Sequence, residues 1–358
     1  MKHRYNVLPL LLAIAIITVN SPVIAGNKDR SGEAGATQLL INPWSRSSGW
    51  AGANTASARG LEAVFLNVAG TAFTPRTEVL VSRTSWLVGT DIHINAFGLT
   101  QKVGTTGVLG INFMSMDFGD IQITTTDLPE GGVGTYSPQF INMGLSYAKS
   151  FSHSIYGGFN LKVVSEGISN AKAKGVALDA GIQYVAGEND QLKFGIAIKN
   201  WGPKMKYSGD GLSWQGTIPA TGANLTLEQR SLSFEIPTLV NIGLAYDLYM
   251  SKDSMAMKMH RVTVAGNFTS NSFSRDLYKV GVEYGYKTFL MLRAGYEAEK
   301  GMLDKEIGRT TVLTGPAAGF TVELPFGKGK ASTFGIDYSY RATNPFQGVN
   351  SIGVRVNL

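Results

Sequence analysis

Residues Gln347 to Leu358 read QGVNSIGVRVNL, and from Asn350 onward every second residue is apolar: Ile352, Val354, Val356 and Leu358. Ser351, Gly353, Arg355 and Asn357 alternate with them. A period of two sends one set to each face of a strand. A strand that is apolar on one face, charged on the other and runs to the final residue fits a closed barrel in lipid, apolar face outward. The last strand of a soluble sandwich would look the same, so the choice rests on the rest of the chain.

The pattern recurs upstream. Tyr278, Val280, Val282, Tyr284 and Tyr286 alternate with Lys279, Gly281, Glu283 and Gly285. Phe334, Ile336, Tyr338 and Tyr340 alternate with Gly335, Asp337, Ser339 and Arg341, and Leu192, Phe194, Ile196 and Ile198 with Lys193, Gly195, Ala197 and Lys199. Fourteen candidate strands follow, near 78–86, 91–102, 105–117, 138–150, 154–167, 172–187, 190–200, 235–249, 259–270, 277–286, 288–299, 312–323, 331–341 and 347–358. Trp86, Tyr184, Tyr246 and Tyr286 at strand ends fit interfacial girdles. The three longest connections, 118–137, 201–234 and 300–311, all follow odd-numbered strands, while those after even-numbered strands are short or middling. An outer-membrane barrel sorts its loops this way, with long loops outside and short turns in the periplasm. A sandwich has no reason to. The fold expected is all-β, a transmembrane antiparallel β-barrel of about fourteen strands.

Composition agrees. Of 358 residues 43 are glycine and 16% are charged, where a soluble domain carries about a quarter. Without cysteine, disulfides, thiol catalysis and Cys-ligated metals are excluded. The four histidines, at 3, 93, 153 and 260, show no metal-ligand spacing. Net charge is +6, but the basic residues are scattered and read as loop and lumen charges, not as a nucleic-acid footprint.

Residues 1–25 read as a secretory signal peptide: Lys2 and Arg4, an apolar run from Val7 to Val19, then Val23-Ile24-Ala25. That run is short of the roughly 20 residues a membrane helix needs, and no later segment approaches it. A protein exported in this way and still embedded in a membrane has to be a barrel. Residues 26–76 form a separate segment before a barrel of 77–358. Gly26 to Gly35 is polar and reads as disordered. Ser47 to Ala53 is rich in small residues, and Leu61 to Gly70 reads as a short helix ended by Gly70. Such a segment suits a plug in a barrel lumen, or equally a compact N-terminal cap.

Several stretches resemble the PorV/PorQ family, which is similar in fold to FadL-type fourteen-stranded barrels. Gly49-Trp50-Ala51-Gly52-Ala53 and Asn67-Val68-Ala69-Gly70 resemble its small-residue run and Asn-Pro-Ala-Gly motif, with Val68 in place of the proline. Met143 to Ser150, Gly157 to Lys162 and Gly175 to Tyr184 resemble its central strands. The resemblance implies plug-motif positions Gly49, Gly52, Asn67 and Gly70. It also implies a non-enzymatic outer-membrane protein of type IX secretion, docking the C-terminal signal domains of cargo or a sortase-like peptidase, with the translocon as a further partner. The alternative is a FadL-like passage for hydrophobic small molecules, which would need a mobile plug, a gap in the wall and an apolar internal pocket. A purely structural role is a third reading.

No catalytic set and no cofactor motif emerges. Glu297, Glu299, Asp304 and Glu306, with Lys300, Lys305 and Arg309, read as a solvated outer cluster. Asp117-Phe118-Gly119-Asp120 lacks the spaced oxygens of a calcium loop. His93, beside Asp91, has no nucleophile near it in sequence and reads as a lumen or girdle residue. The partners expected are membrane lipid and secretion proteins. The 201–234 connection is longer than most, and its Trp201, Tyr207 and Trp214 are candidates for a partner-binding outer loop.

Overall fold

A computed structural model describes residues 28–250, 259–302, 308–327 and 332–358; the 1–25 leader therefore lies outside it. Fourteen strands close into an antiparallel barrel. They are β1 (Thr77–Trp86), β2 (Ile92–Val103), β3 (Gly107–Asp117), β4 (Gln139–Ser150), β5 (Ile155–Ile168), β6 (Ala171–Ala186), β7 (Leu192–Trp201), β8 (Leu239–Tyr249), β9 (His260–Asn271), β10 (Leu277–Tyr286), β11 (Leu290–Glu299), β12 (Gly315–Phe326), β13 (Ser332–Arg341) and β14 (Val349–Asn357). Each pairs with its sequence neighbours, and β14 closes on β1 from Glu78↔Asn357 to Ser85↔Asn350. The three long connections share one end with four short ones. This end is called outer here.

Burial settles which face is which. Along β14, Ile352 is 52% exposed while Ser351 and Arg355 are 2% and 4% exposed. The rest of the wall follows: Ile111, Leu145, Ile182 and Val280 lie outside, and Asn160, Asp179, Glu283 and Asp337 are buried inside. An apolar exterior around a polar interior is the reverse of a soluble protein and is what lipid requires. Among the described residues no helix is long and apolar enough to cross a membrane; the crossing is made by strands.

The interior is filled by the segment before β1. It enters at the outer end, where Ala34 bridges Glu235, and passes down through α1 (Ser45–Gly49), α2 (Ala63–Leu66) and a 3-10 stretch (Val68–Phe73) to β1. The small residues matter because the wall is close. The Ser45 hydroxyl is 2.7 Å from that of Ser351 and 3.1 Å from that of Ser82. Trp50 lies against wall glycines: a Cβ on Gly295 would sit 2.3 Å from its carbonyl oxygen, and one on Gly281 would sit 2.6 Å from its ring.

Several expectations are corrected. The 28–35 stretch is ordered, held by Arg30 to Glu33 and Glu235. Trp86 is no girdle residue: it faces inward, on the same side of β1 as Leu80, Ser82 and Thr84. The helix within 61–70 ends at Asn67, whose side chain accepts from the Ala69 N–H and starts the 3-10 stretch that contains Gly70. Glu297 and Glu299 are not solvated but 3% exposed, Glu297 paired with Lys279 and Arg341 and Glu299 with Arg275. Strand β8 begins at Leu239, not 235, because Ile236 turns into the interior, and β12 begins at Gly315, not 312.

Candidate functional site

The lumen divides into two chemistries. On the β8–β14 side and below it is an ionic lattice. Arg355 reaches Glu78 (3.3 Å), Asp337 (3.4 Å) and Glu62 of the plug (3.6 Å). Arg46 of the plug reaches Asp337 (3.3 Å) and Glu323 (3.6 Å). Arg293 and Arg261 share Glu283, at 3.0 and 2.7 Å. The plug is thus tied to the wall by charges that alternate in sign, each buried ion matched as burial demands. A cavity of about 150 Å³ adjoins the lattice, between Arg46, Arg59, Glu62, Lys193, Arg261 and Glu283.

On the β1–β6 side the outer third is apolar. Trp86, Ile94, Met114, Met116, Phe140, Val164, Ala173 and Ala177 of the wall meet Ala36 and Leu39 of the plug and Met205 and Ile236 of the outer loop. Leu39 and Phe140 are fully buried. Leu39 sits on a 3-10 turn (Thr37–Leu40) held among these wall residues. Beneath this chamber, a space of about 20 Å³ lies between the polar wall residues Asn142, Asn160, Lys162 and Asp179 and the plug residues Trp44, Val64 and Phe65, room for a water and little more.

The wall beside the chamber is interrupted. The β6–β7 ladder shifts register between Leu178 and Ala180, Asn200 takes a positive φ of 58°, and its N–H is caught by the Asp179 carboxylate at 2.7 Å. Above this bulge β6 pairs with a short strand, Met205–Ser208, through Tyr207↔Ala173 and Ser208↔Lys172. Met205 lies over Gly175, where a Cβ would come within 2.6 Å of it. The gap left by β7 is therefore closed by this short strand of the outer loop, not by a continuation of β7.

Outside, the long loop raises a hairpin (Ser213–Thr217 with Asn224–Glu228) bearing Trp214, Leu225 and Leu227, all exposed. The three loop candidates do not converge. Trp201 is exposed on the outer face of the wall opposite Leu178, Trp214 stands on the hairpin, and Tyr207 turns inward, donating to Glu166 at 2.6 Å and tilted against Phe234. Burial and that carboxylate raise the Tyr207 pKa. At the plug entrance, hydrogen bonds from Arg30 and then Lys204 lower the pKa of Glu235.

All four plug-motif residues lie in the lumen. Asn67 donates to the Ile182 carbonyl of β6 (3.0 Å), and a Cβ on Gly181 would strike its oxygen. Gly70 is packed on the Ala58 carbonyl, Gly49 on Arg293 and Gly319, and Gly52 takes a φ of 74° beside Lys279. His93 lies on the outer face of β2 opposite Ser85 and Asp117. The apolar chamber was missed in the sequence. Its one local signal is Phe113-Met114-Ser115-Met116, where apolar residues occupy both faces of β3.

No protein-family model matches the chain, and no curated protein does. Solved structures do. The CymD monoaromatic hydrocarbon channel aligns over 88% of this chain and 97% of its own, at 13% identity and a TM-score of 0.52. The Pseudomonas putida toluene transporter TodX aligns over 84% and 94%, at 14% identity and 0.51. A Pseudomonas aeruginosa FadL homologue aligns over 85% and 94%, at 11% identity and 0.47. The first two share this fold, as the FadL half of the resemblance implied. Its PorV/PorQ and type IX half finds no support among them.

Proposed function

We propose that this chain is a non-enzymatic outer-membrane passage for small hydrophobic molecules. The observation that carries the reading is the apolar cluster at the outer third of the lumen, plugged by Leu39 and set beside the ionic lattice. An apolar solute gains by entering it, whereas crossing the lattice below would strip buried charges of their partners. The path therefore runs into the chamber from outside and leaves sideways through the interrupted β6–β7 wall, where Met205 and the loop have only to move aside. Leu39 and the rest of the 34–41 segment are the stopper. That CymD and TodX are described as hydrocarbon carriers agrees with this reading.

The exposed hairpin favours a second reading, protein docking at the cell surface, as a type IX adaptor would need. One experiment separates the two: fluorescence of the apolar probe 1-N-phenylnaphthylamine as it enters intact Gram-negative cells, with nitrocefin as the polar control for leakage. A passage raises probe uptake several-fold over empty vector, Leu39→Ala raises it further, and removal of 213–228 leaves it unchanged. Uptake at vector level, with surface partners lost on removal of 213–228, would support docking instead.

A further inference from the structure

Outside the barrel, under the outer loop that follows β3, lies a recess of about 470 Å³ with Lys172, Lys174, Ser165, Ser169, Tyr136 and Gln139 in its lining. It faces the membrane side of β4–β6, not the lumen. The register gives its height. Ile141, Ser165 and Lys174 stand in one cross-strand row, and Gln139, Gly167 and Lys172 in the next row outward. One step inward the row is Met143, Val163 and Val176, which are 49%, 53% and 47% exposed. The change from apolar to cationic therefore takes place within one row, and the recess sits just above it. The same boundary continues round the wall as Val81 and Phe97 give way to Arg83 and Asn95.

We infer that this recess binds the phosphate of a membrane lipid of the outer leaflet. Lys172 and Lys174 are two apart on one strand, so they point the same way with roots roughly 7 Å apart, a spacing that lets both ammoniums reach one phosphate group. Among the described residues neither has a carboxylate partner, and the hydroxyls of Ser165, Ser169 and Tyr136 make no side-chain hydrogen bond. Five donors thus converge on an open space. Gly167 keeps the space open: a Cβ there would sit 3.1 Å from Cγ of Lys172, whose stem crosses it. Among the described residues the lining holds no carboxylate, and its Ser137 donates to Asp120. The occupant is a lipid and not a free anion because the floor at Ile141 runs on into the apolar band, where acyl chains lie. Basic groups at this level draw anionic headgroups.

The test uses the folded full-length barrel in non-ionic detergent, its fold checked by heat-modifiable gel mobility. Native mass spectrometry follows binding of lipid A, phosphatidylcholine and inorganic pyrophosphate. The wild type binds lipid A in preference to both others. Lys172→Gln with Lys174→Gln weakens this roughly tenfold or more, and Gly167→Val, which keeps both charges but displaces Lys172, weakens it too. Lys102→Gln at the opposite end changes nothing. Lipid A binding that survives the double substitution would overturn the assignment. So would pyrophosphate binding as tight as lipid A, which marks a free-anion site, or phosphatidylcholine binding as well, which marks unselective annular lipid. None of these readouts depends on probe uptake, so the site and the passage stand or fall separately.

Discussion

Arg355 shows how a single residue can tie the wall to the plug. Its side chain, 4% exposed, lies between Glu62, Glu78 and Asp337, which come from the plug, β1 and β13. Replacing it with Met leaves three carboxylates buried without their shared cation, and losing one partner from a buried ionic cluster costs about 3–5 kcal/mol. Arg355→Met is therefore expected to lower the midpoint of urea unfolding, followed by gel mobility, far more than Arg83→Met on the exposed face of β1. That Arg355 faces inward was legible, since it alternates with Ile352, Val354 and Val356. Its partners were not. Glu62 and Asp337 are remote in sequence, and period-two reading gives the face of a residue, not what lies across the lumen. For the same reason Glu297 and Glu299 read as solvated: their charge was visible, but the cations that match them were not.

Among the elements, the strands follow from alternation, whereas the course of the 28–41 segment does not. The strands repeat a two-residue rule many times, so small errors at their ends do not spread. The exceptions are where a residue at the end of a strand turns inward to the chamber, as Ile236 and Trp86 do. The 28–41 segment carries no periodicity and is polar at its start, yet it is fixed by one loop residue, Glu235, through an ion pair with Arg30 at 3.0 Å and the Ala34 bridge. Because Glu235 has a lowered pKa in the folded protein, its contribution is fully present above the ordinary glutamate value of about 4.3. It is lost as pH falls through the lower folded value. Protection of the 34–41 amides, taken as exchange relative to the intrinsic rate at each pH, is accordingly expected to hold from neutral pH down to that range and to fall only in stronger acid. Glu235→Gln, which keeps the main-chain bridge, should weaken protection modestly at neutral pH and remove the acid step. An unchanged profile in Glu235→Gln would show that the segment is held by Leu39 burial alone.

For the whole molecule, the barrel, its closure and the sorting of its loops followed from alternation and connection lengths, because a membrane imposes those rules on every strand. The division of the lumen into an apolar chamber and an ionic lattice did not. It arises when inward positions of seven strands, β1 to β6 and β14 through Val349, meet one plug segment and one loop, and no one of these stretches announces it. The same division reconciles so charged an interior with the proposed passage of apolar solutes: on the proposed path a solute uses only the outer third and the side wall. The long outer loop, read from sequence as a docking surface, has two parts with different roles. Met205 and Tyr207 close the wall, and only the hairpin at 213–228 stands free.

In the proposed passage the outer apolar cluster opens when the 34–41 segment leaves it. The chain has no cysteine, so a pair placed at the bridge between Ala34 and Glu235 can be read without background. Adjacent strands at such a bridge lie ~4.8 Å apart, within the range a disulfide spans. Uptake of 1-N-phenylnaphthylamine by intact cells carrying Ala34→Cys with Glu235→Cys, compared with Glu235→Cys alone, is the direct measurement. Oxidation is expected to lower uptake to the vector level in the double variant only, and a thiol reductant to restore it. Equal uptake by the oxidised and reduced double variant, with the cross-link verified, would contradict the proposed opening.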